Sequence, residues 1–196
     1  MIKNIIFDIG GVIFDDSDLN LAKLLNKDLN EIKDIAQIAY GGNFKKCLLG
    51  EMKVEEHISK LQSQGIENYD IIKYILSYEN LKYSFPIIEA TVEVIKKLRN
   101  EGYKIYLLSN ITEASYNYIS ESIDLDELFD GGLFSYEEHM VKPNKDFYKK
   151  LINKYNLAKE ETIFFDDKAK NVIASNEIGI KAIQFKSIKD IYDNIN

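Results

Sequence analysis

Four short apolar runs constrain this chain more than any other feature of it: residues 4–7, 104–108, 162–165 and 182–185, with a fifth, weaker one at 132–134. Their apolar character is continuous rather than alternating, which is what a strand covered on both faces requires, so they predict buried parallel strands. Helical patterns lie between them. Residues 87–99 put Ile88, Val92, Ile95 and Leu98 near one face and stop at Asn100-Glu101-Gly102. Asn144 can cap a helix reaching Lys154, and another over 168–178 stops at Gly179. Strands alternating with helices predict an α/β fold, a Rossmann-like doubly wound parallel sheet.

Residues 16–84 break the alternation. Their pattern is helical throughout, with stretches at 19–25, from Asp28 (where Asp28 and Glu31 form a D-x-x-E capping box), at 54–64 and at 68–78. The division expected is a core made of residues 1–15 and 85–196 and an inserted helical cap, 16–84. An insertion after the first strand stands over the carboxyl ends of the core strands, where open α/β sheets bind ligands.

Composition narrows the function. The 196 residues carry a net charge of −7, which disfavours extended contact with a nucleic-acid backbone. A small anionic substrate is still compatible, since only the field of its pocket matters. The one cysteine, Cys47, rules out an internal disulfide and fits a reducing compartment. The apolar N-terminal run meets Asp8 too soon to span a bilayer, so the expectation is a cytoplasmic protein with no membrane partner, monomer or homodimer.

Polar groups sit at the ends of the apolar runs. Asp8 closes the first and is followed by Ile9-Gly10-Gly11, whose glycines let backbone approach a ligand. Ser109-Asn110 follows the second, where a hydroxyl and an N–H can hold a phosphate oxygen or simply cap a helix. Lys142 precedes Pro143 in a later loop, as a neutralising ammonium or an ordinary surface lysine. Asp166-Asp167 ends a strongly apolar run, with Asn171 about one turn on. Adjacent carboxylates there repel unless a cation or donors hold them, and Mg²⁺ prefers such oxygen ligands.

The segments FDIGGVIFD, LLSN, VKPNKDFY and FFDDKAKN stand in the order of four motifs, and together they resemble the haloacid dehalogenase superfamily, in the branch whose cap is a helical insertion after the first strand. The likeness covers nearly the whole chain and is nearest to small bacterial sugar-phosphate phosphatases. It implies a phosphatase acting on a small phosphorylated metabolite, a sugar phosphate favoured. Asp8 would be the nucleophile, and Mg²⁺ would be held by Asp8, the Gly10 carbonyl and Asp167, with Asp166 as a further ligand or supporting carboxylate. Ser109, Asn110 and the backbone at Gly11 would grip the phosphoryl oxygens, Lys142 would bridge Asp8 and the phosphate, and Asn171 would orient the loop.

One departure matters. Phosphatases of this superfamily usually carry a second aspartate two residues after the nucleophile, as acid and base; here the position is Gly10. Such catalysis is worth about 10²–10⁴-fold. Asp15 or Asp16 could supply the proton instead. The competing expectations are a dehalogenase, which also lacks that aspartate but needs no metal, and a catalytically silent binding protein on the same fold. His57 and His139 are expected to pack or to sit in ordinary loops, and Lys45 and Lys46 to lie on a solvated helix face.

Overall fold

The computed structural model describes residues 1–195. Five strands, β1 (Asn4–Phe7), β2 (Lys104–Ser109), β3 (Gly131–Phe134), β4 (Thr162–Asp166) and β5 (Lys181–Gln184), form one sheet in the order β3-β2-β1-β4-β5. Every neighbouring pair is parallel. The chain moves outward from β1 through β2 to β3, then returns to the other side of β1 for β4 and β5. The order therefore reverses between β1 and β4, and the crevice beyond that point is where such sheets bind ligands.

Alternation along the strands sends side chains to two buried layers. Ile5, Phe7, Ile105, Leu107, Ile163 and Phe165 face a layer closed by Val92, Ile95 and Leu98 of helix Glu89–Asn100 and by Ile191 and Ile195 of helix Ile188–Ile195. Ile6, Tyr106, Leu108, Phe164 and Ala182 face the other, closed by Phe147, Tyr148 and Leu151 of helix Lys145–Lys154 and by Ala174 of helix Ala169–Asn176. A third apolar cluster belongs to the inserted helices, with Leu21, Ile32, Ile35, Ile58, Leu61, Ile72 and Ile75 at its centre.

The expected strands and helices are present with shifted ends. Two shifts bear on chemistry, because Ser109 and Asp166 are the last residues of β2 and β4 rather than the first residues of the loops. Ser109 is thus no helix cap; Thr112 has that role, its hydroxyl accepting from the Ser115 N–H before helix Glu113–Ser122. The capping box at Asp28 is half-made. Asp28 accepts from the Asn30 N–H, while Glu31 pairs with Lys27 rather than reaching back to Asp28. The short helices Phe44–Leu48, Leu81–Ser84, Leu125–Leu128 and Ser135–Glu138 had too few turns to show a period in the sequence.

Candidate active site

Asp8 extends the pairing of β1 by one residue, its N–H donating to the Phe165 carbonyl at 2.9 Å. Backbone pairing fixes its position, and three donors fix its carboxylate. The Ile9 N–H at 2.7 Å, the Ser109 hydroxyl at 2.9 Å and the Lys142 ammonium at 2.8 Å all converge on Oδ1. Oδ2 carries none of these bonds. Burial pushes the Asp8 carboxyl up to about 8; Lys142 opposes the rise and Asp166 adds to it.

Lys142 is far from a surface lysine. Its side chain is fully buried, with Nζ 2.8 Å from Asp8 Oδ1 and 2.7 Å from Asp166 Oδ2. A buried ammonium needs such partners. Burial works against its charge, but the two carboxylates outweigh that and hold its pKa above the ordinary lysine value. Asn110 sets where the lysine starts: its side-chain Oδ1 accepts from the Lys142 N–H at 2.7 Å and its Nδ2 donates to the Lys142 carbonyl at 3.0 Å. That two-point clamp was not readable from the sequence, where Asn110 offered only a backbone N–H.

The paired carboxylates differ sharply. Asp166 is fully buried and saturated, with Oδ1 accepting from the Lys168 N–H and Asn171 Nδ2, and Oδ2 from Lys142 and Asn171. Tyr148 in turn donates to the Asn171 carbonyl at 3.1 Å and steadies that turn. Asp167 has Oδ2 2.6 Å from Lys168 Nζ, yet its Oδ1 is buried with no hydrogen-bond partner. Carboxylate oxygens of Asp8, Asp166 and Asp167 lie within 4.8 Å of one another. A buried, unpartnered anionic oxygen beside two more carboxylates suits a hard divalent cation, so the donor set fits Mg²⁺. Gly11 makes room for Asp167. With φ at +70°, a β-carbon there would fall 2.6 Å from the Asp167 carboxyl.

At Gly10 the reason for a glycine is different: a β-carbon would come within 2.7 Å of Asp16 Oδ2. The Asp16 carboxylate thus occupies the space that a side chain at position 10 would take. Burial raises its pKa to about 6, Lys168 lowering it and Asp167 and Asp15 raising it. The Asp15 Oδ1 instead accepts from the Ser17 N–H at 2.9 Å. Of the two aspartates suggested by sequence, Asp16 is the one whose carboxylate fills the space beside Gly10.

Other candidates stay outside. His57 is buried in the helical insertion with its Nε2 2.9 Å from the Ala39 carbonyl, and His139 meets the Leu49 carbonyl at 2.7 Å. Lys45 and Lys46 are exposed. Among the described residues, no helix is long and apolar enough to cross a membrane.

Carboxylate, hydroxyl, lysine and paired carboxylates gathered at the switch point of a parallel sheet define an enzyme of the α/β class with an acidic, cation-ready site. The model of the haloacid dehalogenase-like hydrolases matches residues 2–179, and the chain belongs to that family. It is 26% identical over 197 residues to a D-ribitol-5-phosphate phosphatase of Bacteroides thetaiotaomicron, covering 94% of this chain and 92% of that one. It is also 26% identical to a sesquiterpene phosphatase of Aspergillus oryzae, covering 91% of this chain and 87% of the relative. Among solved structures, a family enzyme of Bacteroides thetaiotaomicron in complex with magnesium and inorganic phosphate superposes with a TM-score of 0.76 at 21% identity, covering all of both chains. An L-2-haloacid dehalogenase of Xanthobacter autotrophicus gives 0.64 at 16%, covering 100% of this chain and 82% of that one, so the fold is common to both chemistries.

Proposed function

We propose that this chain is a Mg²⁺-dependent phosphohydrolase that cleaves a small phosphate monoester through an aspartyl phosphate on Asp8. The observation that carries the reading is the division of labour at Asp8. Three donors hold Oδ1, which leaves Oδ2 as the attacking oxygen, and Lys142 stands between it and Asp166. Asp8 Oδ2 forms a bond to phosphorus as the bond to the leaving alcohol breaks; Asp16 gives that alcohol its proton. Water then attacks the phosphoryl group, returns a proton to Asp16 and releases Asp8 and inorganic phosphate.

Charge explains why the parts act together. Three aspartates and a phosphate monoester bring several negative charges into one space, and Lys142 and Lys168 offset only part of them. Asp8, Asp167 and the Gly10 carbonyl would hold the Mg²⁺, which when bound supplies the remaining positive charge and a Lewis acid for the phosphoryl oxygens. Asp166, its oxygens already taken, serves here to hold Lys142. Ser109, Asn110 and the backbone at Gly11 position the phosphoryl group, and the helices of residues 16–84 act as the lid.

The dehalogenase reading draws its support from Gly10. Asp16 in the vacated space weakens that support, and the buried, unpartnered oxygen of Asp167 beside two further carboxylates favours a metal-dependent reaction. Among the relatives, one acts on a sugar-alcohol phosphate and another on a sesquiterpene. The motifs alone favour a sugar phosphate. The deciding measurement is phosphate release from p-nitrophenyl phosphate and from a metabolite panel, with and without Mg²⁺, for wild type and Asp8→Asn. Wild type should need the metal and the variant should be silent; equal rates from the two proteins would sink the reading.

A further inference from the structure

Between the helical insertion and the sheet edge lies a cavity of about 450 Å³, within the range of about 300–1,000 Å³ usual for small-molecule sites. It is continuous with the site, since Gly10, Asp16 and Ser109 line one part of it. Of the charged groups on its lining, Asp16 and Lys168 stand at the catalytic edge, Asp18 opens the first helix of the insertion, and Lys170 lies in helix Ala169–Asn176. The apolar part of the wall comes chiefly from the insertion, with Phe44, Leu48, Leu76 and Leu81, and the neutral polar groups beside it are Tyr40, Ser84, Ser109, Asn110, Thr112 and Ser115.

Several of the hydroxyls on that wall are engaged within the protein itself. Ser84 donates to the Ile75 and Asn80 carbonyls, and Thr112 and Ser115 are bonded to each other at 3.0 Å. Against the apolar part of the wall a leaving group rich in hydroxyls would find few partners, and each hydroxyl buried there without a hydrogen bond weakens binding on the order of tenfold. An apolar group of the same size loses nothing by the absence of donors and gains by leaving water.

Resting on the phosphatase reading above, we infer that the preferred ester carries an apolar leaving group: an aliphatic or aromatic monophosphate rather than a polyhydroxylated one. The phosphate meets Asp8, Ser109 and Lys142, and the hydrocarbon lies against Phe44, Leu48 and Leu76.

The test compares ethyl phosphate, hexyl phosphate and glucose 6-phosphate on the full chain with Mg²⁺. All three release a primary alkoxide, so differences in rate report on the cavity rather than on leaving-group chemistry. Each added methylene should improve kcat/KM by about threefold to fourfold where burial is complete. Hexyl phosphate should therefore exceed both ethyl phosphate and glucose 6-phosphate by at least about tenfold. In Asp8→Asn, which cannot turn over, calorimetry with Mg²⁺ should find the same order of affinity and a negative heat-capacity change for hexyl phosphate. Leu48→Glu, or Leu48→Ser should the first fail to fold, should bring the hexyl-to-ethyl ratio toward one. Glucose 6-phosphate matching or exceeding hexyl phosphate, or equal affinity for the two alkyl esters, overturns the inference. Tight hexyl binding without hydrolysis of any ester would instead remove the phosphatase reading and leave the apolar pocket standing.

Discussion

The Asp16 carboxylate lies where a side chain at Gly10 would begin, with Oδ2 only 2.7 Å from a β-carbon built on that glycine. Two positions far enough apart in sequence to look independent therefore compete for one volume. Glycine at 10 and aspartate at 16 are best understood as one solution, in which the carboxylate arrives from the loop after β1 instead of from the nucleophile's own turn.

That relationship gives the first prediction. Asp16→Asn should lower kcat by about 10²-fold or more, the usual value of acid–base catalysis, without abolishing the thermal stabilisation given by Mg²⁺. Asp15→Asn should change kcat by less than about threefold, because its carboxylate is engaged with the Ser17 N–H. Gly10→Asp combined with Asp16→Ala should recover part of the lost rate by returning the carboxylate to the position used by other members of the family. Steady-state rates decide it; an Asp16→Asn enzyme as fast as wild type would exclude Asp16 from proton transfer.

A second prediction concerns stability at Lys142. Asp166→Leu takes one of two counter-charges from a fully buried ammonium and also strips acceptors from Asn171 and the Lys168 N–H. Removing one partner of a buried pair costs about 3–5 kcal/mol. Adding Lys142→Met should recover part of that, since the double variant no longer buries the unmatched charge. Urea denaturation of the four proteins of this cycle measures the coupling, expected to be at least about 1 kcal/mol. Additive losses would show that the two residues do not stabilise one another.

The third prediction follows from Asp8. Its folded-state pKa stands near 8 against an ordinary value of 3.8, with burial the main cause. The folded chain therefore binds this proton more tightly than the unfolded chain does. The resulting stability is complete below the unfolded value and is lost as pH rises through about 8. Asp8→Asn removes the dependence, so without Mg²⁺ the melting temperature of the variant should exceed that of wild type by more at about pH 8.5 than at about pH 5. A difference of about 1 kcal/mol corresponds to roughly 2–4 °C at this chain length. A gap that is constant with pH would show that Asp8 is not held protonated by burial.

Much of this arrangement was legible in sequence. The apolar runs gave all five strands because burial on both faces leaves a strand little choice of residue, and their ends led to Asp8, Ser109, Lys142, Asp166 and Asp167. Asn110 and Asp16 show where such reading stops. The clamp of Asn110 on the Lys142 backbone joins β2 to a loop after β3, and its amide resembles any other until those elements meet. The placement of Asp16 depends on the path of the loop, which no period records. Asp166 and Asp167 are adjacent and identical in type, so only the fold separates the saturated carboxylate from the one with an oxygen to spare.

That separation supports the last prediction. Asp167 Oδ1 is buried without a partner, while both oxygens of Asp166 are engaged. If Asp167 is the carboxylate that takes the cation alongside Asp8, Asp167→Asn should lose Mg²⁺ affinity by at least about tenfold, and its melting temperature should respond little to millimolar Mg²⁺. Wild type should gain stability with the logarithm of Mg²⁺ concentration, as any ligand of the folded state requires. The same position can be disturbed through its neighbour. Gly11→Ala forces a β-carbon to 2.6 Å from the Asp167 carboxyl on a backbone at φ +70°, so it should weaken Mg²⁺ while Asp167 itself is intact. Calorimetric titration and thermal melts read both variants without any need for turnover. Undiminished Mg²⁺ binding by Asp167→Asn would move the metal to other donors and leave the orphaned oxygen to be explained by a hydrogen bond from substrate or water.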